Sequence, residues 1–433
     1  MSKTAKPTLF PVLMVNFIGT LGYSLILPFL VFLVNDFGGN EFIYGIVGSI
    51  YPAFQFFGAP LLGRWSDTYG RKRILFLSQA GTLIAWIIFM VALFAPVTAI
   101  LKVDDSAFGS FTLTIPLLIL IIARALDGIT GGNVSVANAY LSDISNDETR
   151  NTNFGKMAMS SSLGFILGPS IAGLLGATKY EEALPVGAAI VISLVALYVI
   201  WFRLPESKTD LVKPDINRFK IRKLFASEQK DCYEVDDCPD KGLKSVLKIQ
   251  HIPFMLLIYF LTFLGFSFFY VSFPMHSLKV LEWNAFELGI FFSIMSGLMI
   301  LVQGPVLSAL SKKSSEESLI MIGSILLVVN FILIGSPNII LTYTSLLFFA
   351  LGNGLMWPSF LSLLSKYAGD KQQGAVQGTA NSVGSLASIV GLIGGGWLYG
   401  SVGNITFYTA AALLFTTVAA SAPVISFKRC SSG

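Results

Sequence analysis

The chain has 433 residues, of which 54% are hydrophobic and 12% charged, and its mean hydropathy is +0.72. Soluble domains carry roughly 25% charged residues, so this composition excludes an ordinary water-soluble globule. The net charge of +4 is spread through short connections between apolar runs, with no basic, aromatic-interleaved patch, which excludes a nucleic-acid-binding surface.

Apolar runs of about 20 residues recur along the chain, and each matches the roughly 30 Å hydrocarbon layer of a bilayer at 1.5 Å rise per residue. The first, 9–34, follows Lys3 and Lys6 and is too long for the apolar region of a cleaved signal peptide, so it is expected to remain as a span. Further spans are predicted at 41–63, 72–95, 114–142, 153–177 and 184–203. The longest hydrophilic stretch, 205–250, mixes Lys, Arg, Asp and Glu as a linker does. Spans resume at 252–275, 285–310, 317–336, 339–366, 373–400 and 404–427. The expected fold is an all-α membrane protein of twelve transmembrane helices in two six-helix bundles, 1–204 and 251–433, joined by a cytoplasmic linker over 205–250.

Basic residues are retained in the cytosol during insertion, and placing both termini there puts about 25 of the 29 Lys and Arg residues on that side. Lys102, Lys179 and Lys279 fall outside, and Arg124 lies within a span. Cys232 and Cys238 sit in the linker, where cytosolic thiols stay reduced, and with no His or second Cys pair beside them a metal site is not expected. A faint repeat links the two halves, because Gly58-Ala59-Pro60 and Gly304-Pro305 both precede a short basic connection. Duplicated halves of this kind place a binding site between them at the midplane.

The connection after the second span reads Gly63-Arg64-Trp65-Ser66-Asp67-Thr68-Tyr69-Gly70-Arg71-Lys72-Arg73. Gly63 and Gly70 are expected to permit a tight turn, Asp67 to cap a neighbouring helix, and Arg71 to pair with an acid across the bundle. The fourth span carries Arg124-Ala125-Leu126-Asp127-Gly128. An intramembrane Arg is costly unless it faces a cavity or a partner, and Asp127, three residues on, shares its helix face. A carboxyl there lies between desolvation, which disfavours its charged form, and an Arg, which favours it, and so suits proton exchange. Asp36, at the end of the first span, is a secondary proton-coupling candidate. In the fifth span Gly164, Gly168 and Gly173 let another helix approach, and Pro169 removes a backbone hydrogen bond.

These strings resemble the motifs of the major facilitator superfamily. The segment Gly63 to Arg73 resembles its signature loop, Arg124 and Gly128 resemble its second motif, and Gly164-Phe165-Ile166-Leu167-Gly168-Pro169 with Gly173 resembles the antiporter signature of drug/proton exporters, with Ala172 in place of one closing glycine. The region Ala139 to Arg150 is similar to the tetracycline-exporter branch. The resemblance implies a conformational latch of Asp143 with Arg71, involving Lys72, Arg73 and Arg150. Gly374-Ala375-Val376-Gln377-Gly378 and Gly394-Gly395-Gly396 resemble the same branch.

Polar residues within apolar spans, Asn16, Gln55, Gln303, Asn353 and Asn381, either line a cavity or bond helix to helix. Tyr23, Tyr51, Phe54, Phe266, Phe269, Tyr270 and Trp357 are the aromatic candidates for stacking on a substrate. His276 is expected to be an interfacial residue without a role. Gly155-Lys156 lacks a glycine at position 150, so no nucleotide-binding loop exists, and no metalloprotease or nucleophile-elbow string occurs. The reading is a non-enzymatic secondary transporter in the plasma (inner) membrane, exporting amphiphilic or hydrophobic compounds by proton antiport with no cofactor. A proton-coupled uptake symporter is the alternative, and a receptor or scaffold has little need for Arg124 and Asp127. The expected partners are a small-molecule substrate and the lipid bilayer, and the expected state is a monomer.

Overall fold

The computed structural model describes residues 9–207, 246–249, 251–368 and 373–430, apart from 27, 105, 106, 132, 177, 179 and 181. Cys232, Cys238 and most of the linker lie outside the described residues, as does the side chain of Arg150.

A backbone N–H or C=O in hydrocarbon has no water to turn to, so each apolar run closes its bonds internally as a helix. The first run forms α1 (Leu9–Leu25) and α2 (Leu30–Asp36), bent by 41°. Pro28 lies in the break, where its missing N–H interrupts the helical ladder. Next come α3 (Glu41–Tyr69), capped by the Asn40 side chain accepting from the Ile43 N–H at 3.0 Å, and α4 (Arg71–Phe94). The turn between them is one residue, Gly70, at φ 98°, a left-handed conformation that favours glycine. Gly63, expected in that turn, instead lies inside α3, which runs six residues past the expected end at 63 because Arg64 to Tyr69 are still helical.

Where the sequence indicated only a connection, a hairpin forms from β1 (Ala99–Val103) and β2 (Phe111–Thr114). Its edge is tied to the first half: the Thr112 N–H donates to Gly38 O at 2.8 Å, the Thr114 hydroxyl to Phe37 O at 2.7 Å, and the Asn40 amide to Phe108 O at 2.8 Å. Then follow α5 (Ile115–Thr130), α6 (Asn133–Asp143), α7 (Asp147–Gly176) and α8 (Ala183–Arg203). The second half holds α9 (Ile252–Lys279), α10 (Ala285–Leu301), α11 (Leu307–Leu310), α12 (Glu316–Ile334), α13 (Ile339–Ala368), α14 (Gln373–Val402) and α15 (Ile405–Cys430). Between α10 and α11 a π-helical turn, Val302–Val306, contains Pro305, whose missing N–H breaks the ladder. Among the described residues ten stretches are long and apolar enough to span a bilayer; the α1–α2 pair and α15, apolar over Ile405–Val418, complete a twelve-helix arrangement.

Within the first half α1 packs on α7 and α8, and α4 on α5 and α8; within the second, α12 packs on α13 and α15, and α9 on α14. The halves meet where α3 lies on α14 and α7 on α10. At the second contact two glycines face each other, and a Cβ on Gly173 would come within 2.7 Å of Gly289 Cα. On the same face Lys279 pairs with Glu41, and the Trp397 indole donates to Ala107 O at 3.0 Å. This hairpin face is the one opposite the Gly70 turn, and it is closed.

Candidate functional site

The central site forms where the fourth span breaks. Thr114 caps α5 by accepting from the Leu117 N–H at 3.4 Å, and Pro116 sits in the first turn, where its missing N–H costs nothing. The helix stops at Thr130, and the Gly131 N–H closes it onto Asp127 O at 2.6 Å. The expected span over 114–142 holds as one membrane-length stretch, Ile115–Asp143, within which α5 ends at Thr130 with Gly131 as its C-cap and α6 begins at Asn133. The carbonyls freed by the break are served from neighbouring helices: the Ser78 hydroxyl donates to Thr130 O and the Gln55 amide to Gly131 O at 2.8 Å. Irregular backbone at this depth persists only with such partners.

One turn before the break stand Arg124 and Asp127, 2% and 8% exposed. Their closest approach, Nη1 to Oδ2, is 3.5 Å, longer than the about 2.8 Å of a strong charge-assisted bond. The guanidinium instead lies over two rings, 4.9 Å from the centroid of Tyr51 and 5.7 Å from that of Tyr23. Tyr23 and Tyr51 pack at 4.5 Å, with Phe165 edge-on to Tyr23 at 5.9 Å. Gly128 makes this possible, because a Cβ there would come within 2.6 Å of Tyr51 O and hold α3 away. A small cavity beside the pair is lined by Ile26, Ala85, Trp86, Phe89 and Ala123. The contact is loose, and the guanidinium is held by the two rings as well as by the carboxylate.

At the Gly70 turn, Arg71 is 4% exposed and contacts Asp67 at 2.7 Å, Asp143 at 3.0 Å and the Ser66 hydroxyl at 2.6 Å. Asp67 meets Arg71 one helical turn on. Glu206, which sequence reasoning did not single out, accepts from the Arg71 N–H at 2.8 Å and the Lys72 N–H at 3.2 Å, placing a carboxylate on the start of α4. The Ser207 hydroxyl reaches Asp143 at 3.0 Å, Lys72 Nζ donates to Trp201 O, and Arg73 is exposed. Arg71→Ala would leave two acids facing each other without their cation, so a loss of about 3 kcal/mol is expected, read as a lower melting temperature of the purified protein in detergent.

The remaining predicted residues divide. Asn16 is buried and joins α1 to α7, donating to Met157 O at 3.1 Å and Ser161 Oγ at 2.6 Å, so its amide is spent between helices rather than on a cavity. Gln55, Tyr23 and Tyr51 do belong to the central site. Trp357 packs with Tyr259 and Phe263, Phe266 with Phe349, and Phe269 is fully buried among Phe273, Phe331 and Phe349, so that these three reinforce the second half. Tyr270, Phe54 and Asn381 are exposed, Gln303 lies in the π-turn, and Asn353 reaches Met299 Sδ at 3.8 Å. Asp36 is exposed at the end of α2, apart from the central pair. Gly164 and Gly168 seat α7 on α1, next to Pro169, while Gly173 belongs to the contact between halves. His276, expected at an interface, is fully buried and bonds Asn404 at 2.9 Å.

Ten membrane-length helices among the described residues, with the bent α1–α2 pair, around the buried Arg124 and Asp127 define an integral membrane protein built like a transporter. The chain belongs to the Major Facilitator Superfamily, whose family model matches residues 12–392. It is 26% identical over 385 residues to the class H tetracycline resistance protein of Pasteurella multocida, covering 88% of this chain and 86% of that one. The structure of the human organic anion transporter MFSD10 matches 95% of this chain and 98% of its own, with a TM-score of 0.67 at 20% identity. A D-xylose–proton symporter matches 95% and 97%, with a TM-score of 0.70 at 14% identity, a likeness of fold.

Proposed function

We propose that this protein exports small amphiphilic or hydrophobic compounds in exchange for protons, by alternating access, from a plasma membrane in which both termini are cytoplasmic. The observation that carries the reading is the buried Asp127 held loosely beside Arg124 at the α5–α6 break. Moving a charge into a membrane interior is costly, so an ionisable pair kept there has a use for its charge. With the basic residues of the Gly70 turn in the cytoplasm, the hairpin face, where Lys279 pairs with Glu41 and the Trp397 indole meets Ala107 O, is the outer one. Similarity to tetracycline resistance proteins supports export over uptake. The proton gradient supplies the energy and no cofactor takes part. Asp67, Arg71 and Asp143 act as the cytoplasmic latch.

The test is transport in everted vesicles with an acidic lumen. Cargo is expected to accumulate inside as the pH gradient runs down. Accumulation only with the gradient reversed would indicate uptake symport, and flux indifferent to pH would reject proton coupling.

One observation favours a second reading of the cargo. Arg124 Nε is buried and makes no hydrogen bond, so a compound with a negative group has a donor waiting beside two aromatic faces. The human relative of known structure is an organic anion transporter. A panel of anionic, neutral and cationic amphiphiles, scored by thermal shift, separates the two: selective stabilisation by the anions supports this reading, and equal response to neutral compounds removes it.

A further inference from the structure

Connections that stand in water are ordinarily polar, yet the one leaving α4 reads Ala95-Pro96-Val97-Thr98-Ala99-Ile100-Leu101-Lys102-Val103. It folds into the β1–β2 hairpin, whose two edges have different surroundings. β2 is the inner strand, because its Thr112 N–H turns away from β1 to Gly38 O, and the link between α2 and α3 runs beside it. Phe108 stacks on Phe42 of α3 at 4.5 Å, and the Trp397 indole closes on Ala107 O. Among the described residues the sheet has two strands, so β1 is its outer edge.

What β1 exposes is apolar. Val97, Ile100 and Leu101 are 61%, 53% and 54% exposed. Single apolar side chains on a surface need no explanation, but these three continue a stripe. The large exposed residues of α4 are Leu77, Ile84, Ile87, Val91 and Phe94, which recur at helical spacing on the face opposite the buried Ala85 and Phe89. α4 is long and apolar enough to span the bilayer, so this face is turned to lipid. At the other end of the hairpin α5 exposes Leu118 and Ile122. Between Phe94 and Lys102 the only polar side chain is Thr98, and the lipid face of α4 therefore runs on into β1.

We infer that β1 is an anchor in the surface of the bilayer: Val97, Ile100 and Leu101 enter the boundary between headgroups and acyl chains, and Lys102 meets lipid phosphates. The main chain sets the depth. An edge strand carries unpaired N–H and C=O groups, which hydrocarbon cannot satisfy and which water and headgroups can. The backbone therefore stays at headgroup level while the side chains reach below it, as in other interfacial segments. Lys102 is exposed, with an apolar stem and a charge that suits phosphate at that level. A second copy pairing edge to edge would bring two Lys102 ammonium groups together across a strand of five residues, which favours lipid as the occupant. The leaflet is the outer one in the orientation of the proposed function, but the contact itself does not depend on that orientation.

The test uses the full-length chain in lipid nanodiscs, where both membrane faces are open to reagents, with its three cysteines replaced by serine and one nitroxide introduced. Labels at Ile100→Cys and Leu101→Cys are compared with Val91→Cys on the lipid face of α4 and Lys313→Cys in an exposed turn. Oxygen concentrates in lipid and a neutral nickel chelate in water, so their collision rates report immersion. The labels on β1 are expected to meet nickel several-fold less often than the label at Lys313, with an oxygen-to-nickel ratio between those of Lys313 and Val91. Adding Lys102→Glu is expected to raise nickel collisions at Leu101, because the strand loses its hold on phosphate. Nickel collisions on β1 equal to those at Lys313 would place the strand in water and overturn the inference. Shielding from both reagents with spin–spin broadening would put a second copy there and overturn it equally. Indifference to Lys102→Glu would overturn the phosphate contact. Val97→Cys gives the same reading if a label at Ile100 or Leu101 prevents folding.

Discussion

Asp127→Asn is expected to insert and fold yet move cargo across a pH gradient no faster than empty liposomes do. The change keeps the shape of the side chain and removes its ability to ionise. Breaking a buried ion pair costs about 3–5 kcal/mol in general. Here the pair is already loose at 3.5 Å, and the Arg124 guanidinium keeps its two ring contacts, so the lower end applies. The informative comparison is between two fluxes in the same proteoliposomes. Exchange of labelled for unlabelled cargo at equal pH needs only the conformational cycle and should persist, whereas pH-driven accumulation should vanish. Accumulation at the wild-type rate would reject the role of Asp127.

Gly289→Val carries the second large effect. Gly173 and Gly289 bring the α7 and α10 backbones into contact, and backbone has no way to yield to a branched side chain. The variant should be unable to close the hairpin face, and Lys279 should no longer reach Glu41. Transport is expected to stop, with the protein held open to the outside. Spin labels on the hairpin and on the outer end of α14 provide the measurement: a longer separation than in the wild type is expected, and an unchanged separation with normal transport would show that this contact does not govern closure.

The spans were legible because hydropathy over a 20-residue window is insensitive to detail, and for the same reason the breaks were not. Gly131 and Pro305 sit inside runs whose average remains apolar, yet Gly131 caps the end of α5 and Pro305 lies within the π-turn. Arg124 with Asp127 could be read because spacing along a helix fixes which side chains share a face. Arg71 could be assigned an acid across the bundle, and it meets Asp143 there as well as Asp67 beside it. Glu206 could not be assigned, because its contact with Arg71 and Lys72 depends on where α8 ends in space. Asn16 was ambiguous in sequence, since an amide facing a cavity and one bonding a neighbouring helix look alike; the position of Met157 and Ser161 on α7 decides it.

The hairpin is fastened to the first half through Phe37, Gly38 and Asn40, while an indole of the second half, that of Trp397, donates to its tip at Ala107 O. Trp397 is thus a built-in optical gauge: its fluorescence depends on whether the ring nitrogen is engaged or wetted, which changes as the outer mouth gapes. With the remaining tryptophans replaced, the protein would report each turnover in real time without any attached dye.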